Sequence, residues 1–415
     1  MPEEVDLKSM VAHAKKKGSF DLRDFRGVSL GMAEFRELLS LLQRNHIPFS
    51  ETKDENDTDA LPDQRDARRI IARLRVGVPP VENVSAYSIG RETLVSVVHE
   101  DLRQVGEGKS RVRFLNGNYG RGKTHSLRLL REKAFAADFV VSEVTLSPTH
   151  CPLHEFMRVY REIMKGISTR ENPTGLAIES ILGRWLNAMR DLPRERVTEI
   201  VYNELPEGTK CALGAYYEAQ NPVRAHARKR DLVMKYLYGD PLSAPEGRSL
   251  ELKYKIEEDT ALVMLGQIAH LVRYIGYKGL CILLDEAESV HSFASYRHRD
   301  RAFQNLQRIT RESKDFSHCY FLYATTPSFF ANYPDYGDIV GELEVLELES
   351  LGREQRLELC DRISDVYGIA YEWARPPNMP KVLEQIEMEN AKRSSEIGSL
   401  VRAAVAALDE LRNMR

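Results

Sequence analysis

Residues 117–124 read Gly-Asn-Tyr-Gly-Arg-Gly-Lys-Thr, a spacing that suits a chain of phosphates. Gly117, Gly120 and Gly122 let the backbone wrap with its N–H groups pointing inward, and a helix opening at the end of the loop adds a favourable dipole. Lys123 would neutralise the β- and γ-phosphates of ATP, and Thr124 would give its hydroxyl to Mg²⁺. Asn118, Tyr119 and Arg121 complete the loop and His125 follows it, so all four are assigned to the nucleotide side. A second set of groups closes the run Ile-Leu-Leu-Asp-Glu at 282–286. Asp285 is suited to hold Mg²⁺ through water and Glu286 to polarise an attacking water, which is hydrolytic chemistry.

Other polar groups are candidates around this pair. The run at 318–326 ends in Thr325 and Thr326, either of which could orient a water beside Glu286; Thr326 is taken as the catalytic candidate. The other reading is that threonine simply suits strands. Arg308 and Arg311 close the helix before that run; Arg311 is the candidate for a finger reaching a neighbour's γ-phosphate, against the reading of a solvated helix face. Arg393 and Arg402 flank the start of the last helix and could serve as a second sensor. Gly90-Arg91-Glu92 precedes the phosphate loop, so Arg91 either meets the adenine side of the nucleotide or belongs to the turn that opens a helix.

These groups need elements to hold them. The runs at 111–117, 139–146, 279–286, 318–326 and 342–351 read as strands; the third is almost wholly apolar, as expected of a strand buried on both faces of a parallel sheet. Strands alternating with helical periodicity imply a doubly wound α/β sheet of the P-loop NTPase type, ASCE or AAA+ in style. Acidic and apolar residues would then gather at the carboxyl edge of the sheet, where ligands bind. A mostly helical stretch at about 153–275 is longer than a crossover needs and reads as an insertion. The expected organisation is a small helical module at 1–50, an acidic linker at 51–66, the ATPase core at 67–348 and a helical lid at 349–415.

The bulk properties narrow the function classes. The chain has 415 residues, 42% hydrophobic and 29% charged, with a net charge of −3, so it is not polybasic as a whole. Basic clusters at 67–75, 224–230 and 297–301 read equally as a DNA-tracking surface or as solvated helix faces. Five cysteines, none in a Cys-x-x-Cys pair, fit a reducing cytoplasm better than a disulfide framework or a zinc site. No apolar run approaches the roughly 20 residues of a membrane span, and no secretory signal is visible.

The motifs also carry a resemblance. FLNGNYGRGKTHSLRLLRE, VVSEVTLSPTHCPLHEFMRVYREIM, LCILLDEAE and ARRIIARLRVGVPPV followed by IGRE together resemble the BREX-system ATP-binding proteins of bacterial phage defence, over roughly residues 67–415. The resemblance implies ATP and Mg²⁺ as ligands, action with other BREX components that modify host DNA and restrict phage DNA, and work on DNA as a homo-oligomer. The alternative is a slow nucleotide-dependent switch that recruits partner proteins. Residues 5–50 resemble the autoinhibitory amino-terminal region of primary bacterial sigma factors, which implies a winged-helix-like docking or DNA-facing module.

Overall fold

The computed structural model describes residues 61–415 apart from 191, 220–223, 294, 333–344, 395 and 415. Contacts divide the chain into units at 1–60 and 61–415. The expected module at 1–50 and the linker as far as residue 60 lie outside the described residues, so the account that follows is of the second unit.

Four strands form the centre: β1 (Ser110–Asn116), β2 (Val140–Thr145), β4 (Leu280–Asp285) and β5 (Cys319–Thr325). Two short strands, β3 (Ile167–Ser168) and β6 (Val345–Glu347), complete a sheet of order β3-β2-β4-β5-β1-β6. All neighbours pair parallel except β3, which runs antiparallel to β2. The fold is that of a P-loop NTPase, with β5 lying between the strand that feeds the glycine loop and the strand that ends in the acidic pair.

Every residue of β4 and of β5 is buried, because both faces of the sheet are covered. Leu280, Ile282, Leu284, Phe321 and Tyr323 face one core, and Cys281, Leu283, Tyr320, Leu322 and Ala324 face the other. The second core is closed by α2 (Glu92–Gly106) and α3 (Lys123–Ala136), through Leu94, Val98 and Leu102 and through Leu127, Leu130 and Ala134. Period-two alternation and helical packing thus agree, which explains why these apolar runs carry no polar face.

The first core merges with the helical insertion. That region holds α4 (Phe156–Gly166), α5 (Ile178–Met189), α6 (Arg194–Asn203), α7 (Glu207–Glu218), α8 (Arg224–Leu237), α9 (Ala244–Ser249) and α10 (Ala261–Tyr274). Trp185, Tyr160 and Ile181 are buried with sheet residues in one continuous cluster. Buried hydroxyls find carbonyls: Tyr160 donates to Leu237 O at 2.8 Å and Tyr236 to Gly208 O at 2.8 Å. The helical periodicity at 154–167 runs past the true end of α4, where Ser168 turns back to pair with β2 and donates to Val141 O at 2.7 Å.

The chain continues through α11 (Tyr296–Glu312), α12 (Pro327–Asn332), α13 (Arg353–Tyr371), α14 (Met379–Arg393) and α15 (Ile397–Asn413). The last three make a helical layer at the carboxyl end. That layer also takes in α1 (Gln64–Arg75), whose Ala67, Ile70, Ile71 and Leu74 pack with Leu359, Ile363, Leu400 and Val405. Arg75 grips Asp409 with two hydrogen bonds of 2.8 and 2.9 Å. Position 67, the expected start of the core, lies inside α1, whose apolar face packs with this layer. No helix among the described residues is long and apolar enough to cross a membrane.

Asp63 caps α1, its carboxylate accepting from Asp66 N at 2.8 Å. Loss of such a cap costs about 1 kcal/mol. A chain beginning at Leu61 should unfold cooperatively, and one beginning at residue 67 should melt roughly 1–4 °C lower. Differential scanning calorimetry of the two truncations checks this; equal melting temperatures would show that the cap and the first turn of α1 together contribute nothing.

Candidate functional site

The glycine loop begins where β1 ends. Gly117 N donates to Thr325 O at 3.1 Å, which ties the loop to the neighbouring strand. Gly120 and Gly122 take left-handed φ values of 77° and 90°, conformations that side chains resist. Gly122 stands directly before α3, so the free N–H groups of that helix face the loop. Lys123 is buried and donates to Gly117 O at 3.1 Å. Its ammonium also lies 3.3 Å from Glu288 Oε1.

The acidic pair stands on the same edge. β1, β5 and β4 run in register, with Asn116 beside Thr325 and Leu284 beside Tyr323, so their carboxyl ends are level. Alternation puts Asp285 on the side of α3, where its Oδ2 accepts from Thr124 Oγ1 at 2.6 Å. Glu286 follows at φ 60°, a left-handed non-glycine residue strained by about 1–2 kcal/mol. That turn is how two successive acids come to share one site. The Glu286 carboxyl is raised above the usual range by burial first, then by Glu288 and Asp285, against the opposing pull of Lys123.

A cleft of about 290 Å³ runs from this loop to the helical layer. Leu74, Ile89, Leu351, Leu359 and Val401 line it with apolar surface, and Arg91, Arg402 and Glu396 bring charge. The helical layer touches the loop directly: Ile397 N donates to Gly120 O at 3.0 Å. Arg91 is buried and donates to Arg121 O at 2.9 Å, so it grips the loop backbone from beneath. It also sits at the N-terminus of α2, so the helix-opening turn and the contact with the cleft both hold. His125 meets Ser88 Oγ at 2.7 Å and Tyr87 OH at 3.3 Å. Its imidazole is pushed down to about 3 by burial first and then by Arg91 and Arg128, so the ring is neutral at pH 7.

The structure thus gathers Gly117, Gly120, Gly122, Lys123, Thr124, His125, Arg91, Asp285 and Glu286. Asn118 lies in the loop, accepting from Arg121 N at 3.3 Å. Tyr119 lines the cleft mouth and is 80% exposed. Thr325 is buried on the face of Phe321 and Tyr323, its hydroxyl without a partner among the described residues. Thr326, just past the strand, shares a hydrogen bond of 2.8 Å with Ser328. Arg311 does not stand on the phosphate edge. It closes α11, which leads through His318 to the start of β5, and His318 N bonds Lys109 O at the opposite edge of the sheet. A helix that precedes a parallel strand ends where that strand begins, and Arg308 there is engaged with Glu312 and Asp259 O. Arg402 lines the cleft, whereas the side chain of Arg393 is outside the described residues. Sequence reading missed Glu288 and Glu396; the signal for the first was a third acid two places beyond Glu286.

The family described as BREX system ATP-binding protein BrxC/D matches residues 63–210 and 191–335, which include the loop, the acidic pair and the insertion. The chain belongs to the BREX system ATP-binding family BrxC/D. Among solved structures, the chain is similar to the ORC1 protein of Aeropyrum pernix in complex with DNA, at 14% identity and a TM-score of 0.40. That alignment covers 82% of this chain and 65% of the other. Comparison with curated proteins finds no match.

The residues present in this BrxC/D chain fit ATP and a hard divalent cation. A hydroxyl and a carboxylate, Thr124 and Asp285, are the oxygen donors that Mg²⁺ prefers. Gly120 lets the helical layer come up against the loop, because a Cβ there would lie 2.5 Å from Glu396 Cγ. Gly120→Ala should therefore weaken ATP binding by at least about tenfold, since the added methyl has to push either the loop or the lid aside. Isothermal titration calorimetry measures it. Unchanged affinity would mean that the lid contact plays no part in shaping the loop.

Proposed function

We propose that this chain is an ATP hydrolase of a phage-defence system that works as a homo-oligomer on DNA or on DNA-bound partners. The observation that carries the hydrolytic part is the convergence of Lys123, Thr124, Asp285 and Glu286 at one edge of the sheet. ATP would lie with its triphosphate in the glycine loop and its base against the apolar wall of the cleft, between Leu74, Ile89 and Leu359. Thr124 and Asp285 would hold Mg²⁺, which when bound supplies positive charge to the β- and γ-oxygens. Glu286 takes a proton from water as that water attacks the γ-phosphorus; the bond from phosphorus to the ADP oxygen breaks, and phosphate leaves. Its raised carboxyl, due first to burial, makes it a stronger base than an exposed glutamate. Thr326 orients the water from the end of β5.

Lys123 balances charge on the phosphates from below, and Arg402 stands across the cleft on α15 as the second-sensor cation. Arg311 can act only on a neighbouring subunit, since it is on the far edge of its own sheet. DNA contact is supported by exposed Arg297 at the start of α11 and by the basic face of α1, where Arg73 and Arg69 are exposed. Other BREX proteins are the expected partners.

Lys123→Ala should abolish ATP binding, because the buried triphosphate loses its main counter-charge. Glu286→Gln should keep Mg·ATP affinity and lose on the order of 10²–10⁴-fold in single-turnover hydrolysis. Wild-type hydrolysis by Glu286→Gln would move the reading to a slow nucleotide-dependent switch. Turnover measured with and without duplex DNA tests the DNA part, and light scattering with ATP tests the oligomer.

A further inference from the structure

Glu288 lies in the 3₁₀ turn Ala287–Ser292, just past the acidic pair. Its Oε1 is 3.3 Å from Lys123 Nζ, and its Oε2 is buried with no hydrogen-bond partner among the described residues. The hydrolytic scheme uses Asp285 and Glu286 and leaves this third carboxylate without a role. A half-buried carboxylate with one oxygen against an ammonium and the other buried without a partner is costly, and structures keep such a group where something else gains from it.

We propose that Glu288 is a positioning residue that competes with the terminal phosphates of the nucleotide for Lys123. Its carboxylate holds the place beside the ammonium that a phosphate oxygen would take. Lys123 has two oxygens on it, Gly117 O at 3.1 Å and Glu288 Oε1, and the first belongs to the loop backbone itself. A triphosphate brought to the same ammonium would crowd a second anion against Glu288, in a place where Asp285 and Glu286 already repel it. Nucleotide binding therefore exchanges one anion for another, and Glu288 leaves as phosphate arrives. Lys123 is kept aimed into the loop throughout, and the net affinity is lowered by what the displaced pair was worth. The turn that carries Glu288 packs against β5, α11 and α12, so its shift is felt along the edge where Thr326 stands. This inference rests on the reading of the loop as an ATP site.

Glu288→Gln keeps the volume and removes the charge. It should bind ATP about tenfold more tightly than wild type, the low end of measured couplings between close charged pairs. KM should fall with it, by more than any change in kcat. Titration calorimetry with ATP and with ADP, on the full chain at fixed salt, reads the first; steady-state hydrolysis reads the second. Unchanged or weaker ATP binding by Glu288→Gln overturns the proposal. A thermal-melt cycle separates this from a merely structural role. Glu288→Gln should raise the melting temperature when Lys123 is already Met, because it removes a half-buried charge left without its partner, and should lower it in wild type. Equal shifts in the two backgrounds overturn the ion pair itself. A wild-type protein that binds no ATP while the melt cycle shows coupling would sink the ATP-site reading and leave Lys123–Glu288 as a structural pair only.

Discussion

A lysine ammonium removed from water has to be answered by oxygen, and Lys123 is such a group. Its burial follows from the loop: three glycines bring the backbone around it, and the helix that starts at this residue fixes its stem. Everything nearby is arranged in response. Gly117 offers a carbonyl, Glu288 a carboxylate, and the level ends of β1, β5 and β4 bring Asp285 and Glu286 within the same field. Moving the acids requires changing the sheet register. Moving the lysine requires opening the loop, which Arg91 holds through Arg121 O. The sheet side of the site is consequently held by strand register and by Arg91, with the turn that carries Glu288 and the cleft as its remaining borders.

Much of this could be read from the residues. The four central strands lie within a residue or two of their expected limits, because strands buried on both faces leave an unbroken apolar signature. The loop was legible because its chemistry is local. What escaped was set by contacts distant in sequence. Nothing in Gln64–Arg75 announces that its apolar face is completed by residues some 300 positions later, such as Leu359 and Leu400. Ile167–Ser168 looks like the tail of a helix, and only the free edge of β2 makes it a strand. Glu288 looks like a solvated acid until the 3₁₀ turn folds it back over Lys123. The place of Arg311 is a different matter. Its edge follows from topology alone, since a helix feeding a parallel strand must end at that strand's beginning.

The cleft also explains the glycine at position 77. It has φ 73°, and a Cβ there would run into the Arg402 side chain. The connection from α1 to the sheet is thus shaped by the same arginine that faces the phosphate loop. Glu396 repeats the arrangement on Gly120. Small residues on one side and long charged ones on the other let the two layers approach closely while leaving room for a flat base between the apolar walls.

The helical layer is anchored to the sheet by two separate lengths of chain. Residues 76–91 leave α1 and enter α2, and residues 348–352 leave β6 and enter α13. α1 and α15 share one apolar cluster with α13 and α14, and both line the cleft, so two lengths of chain far apart in sequence form one wall of it.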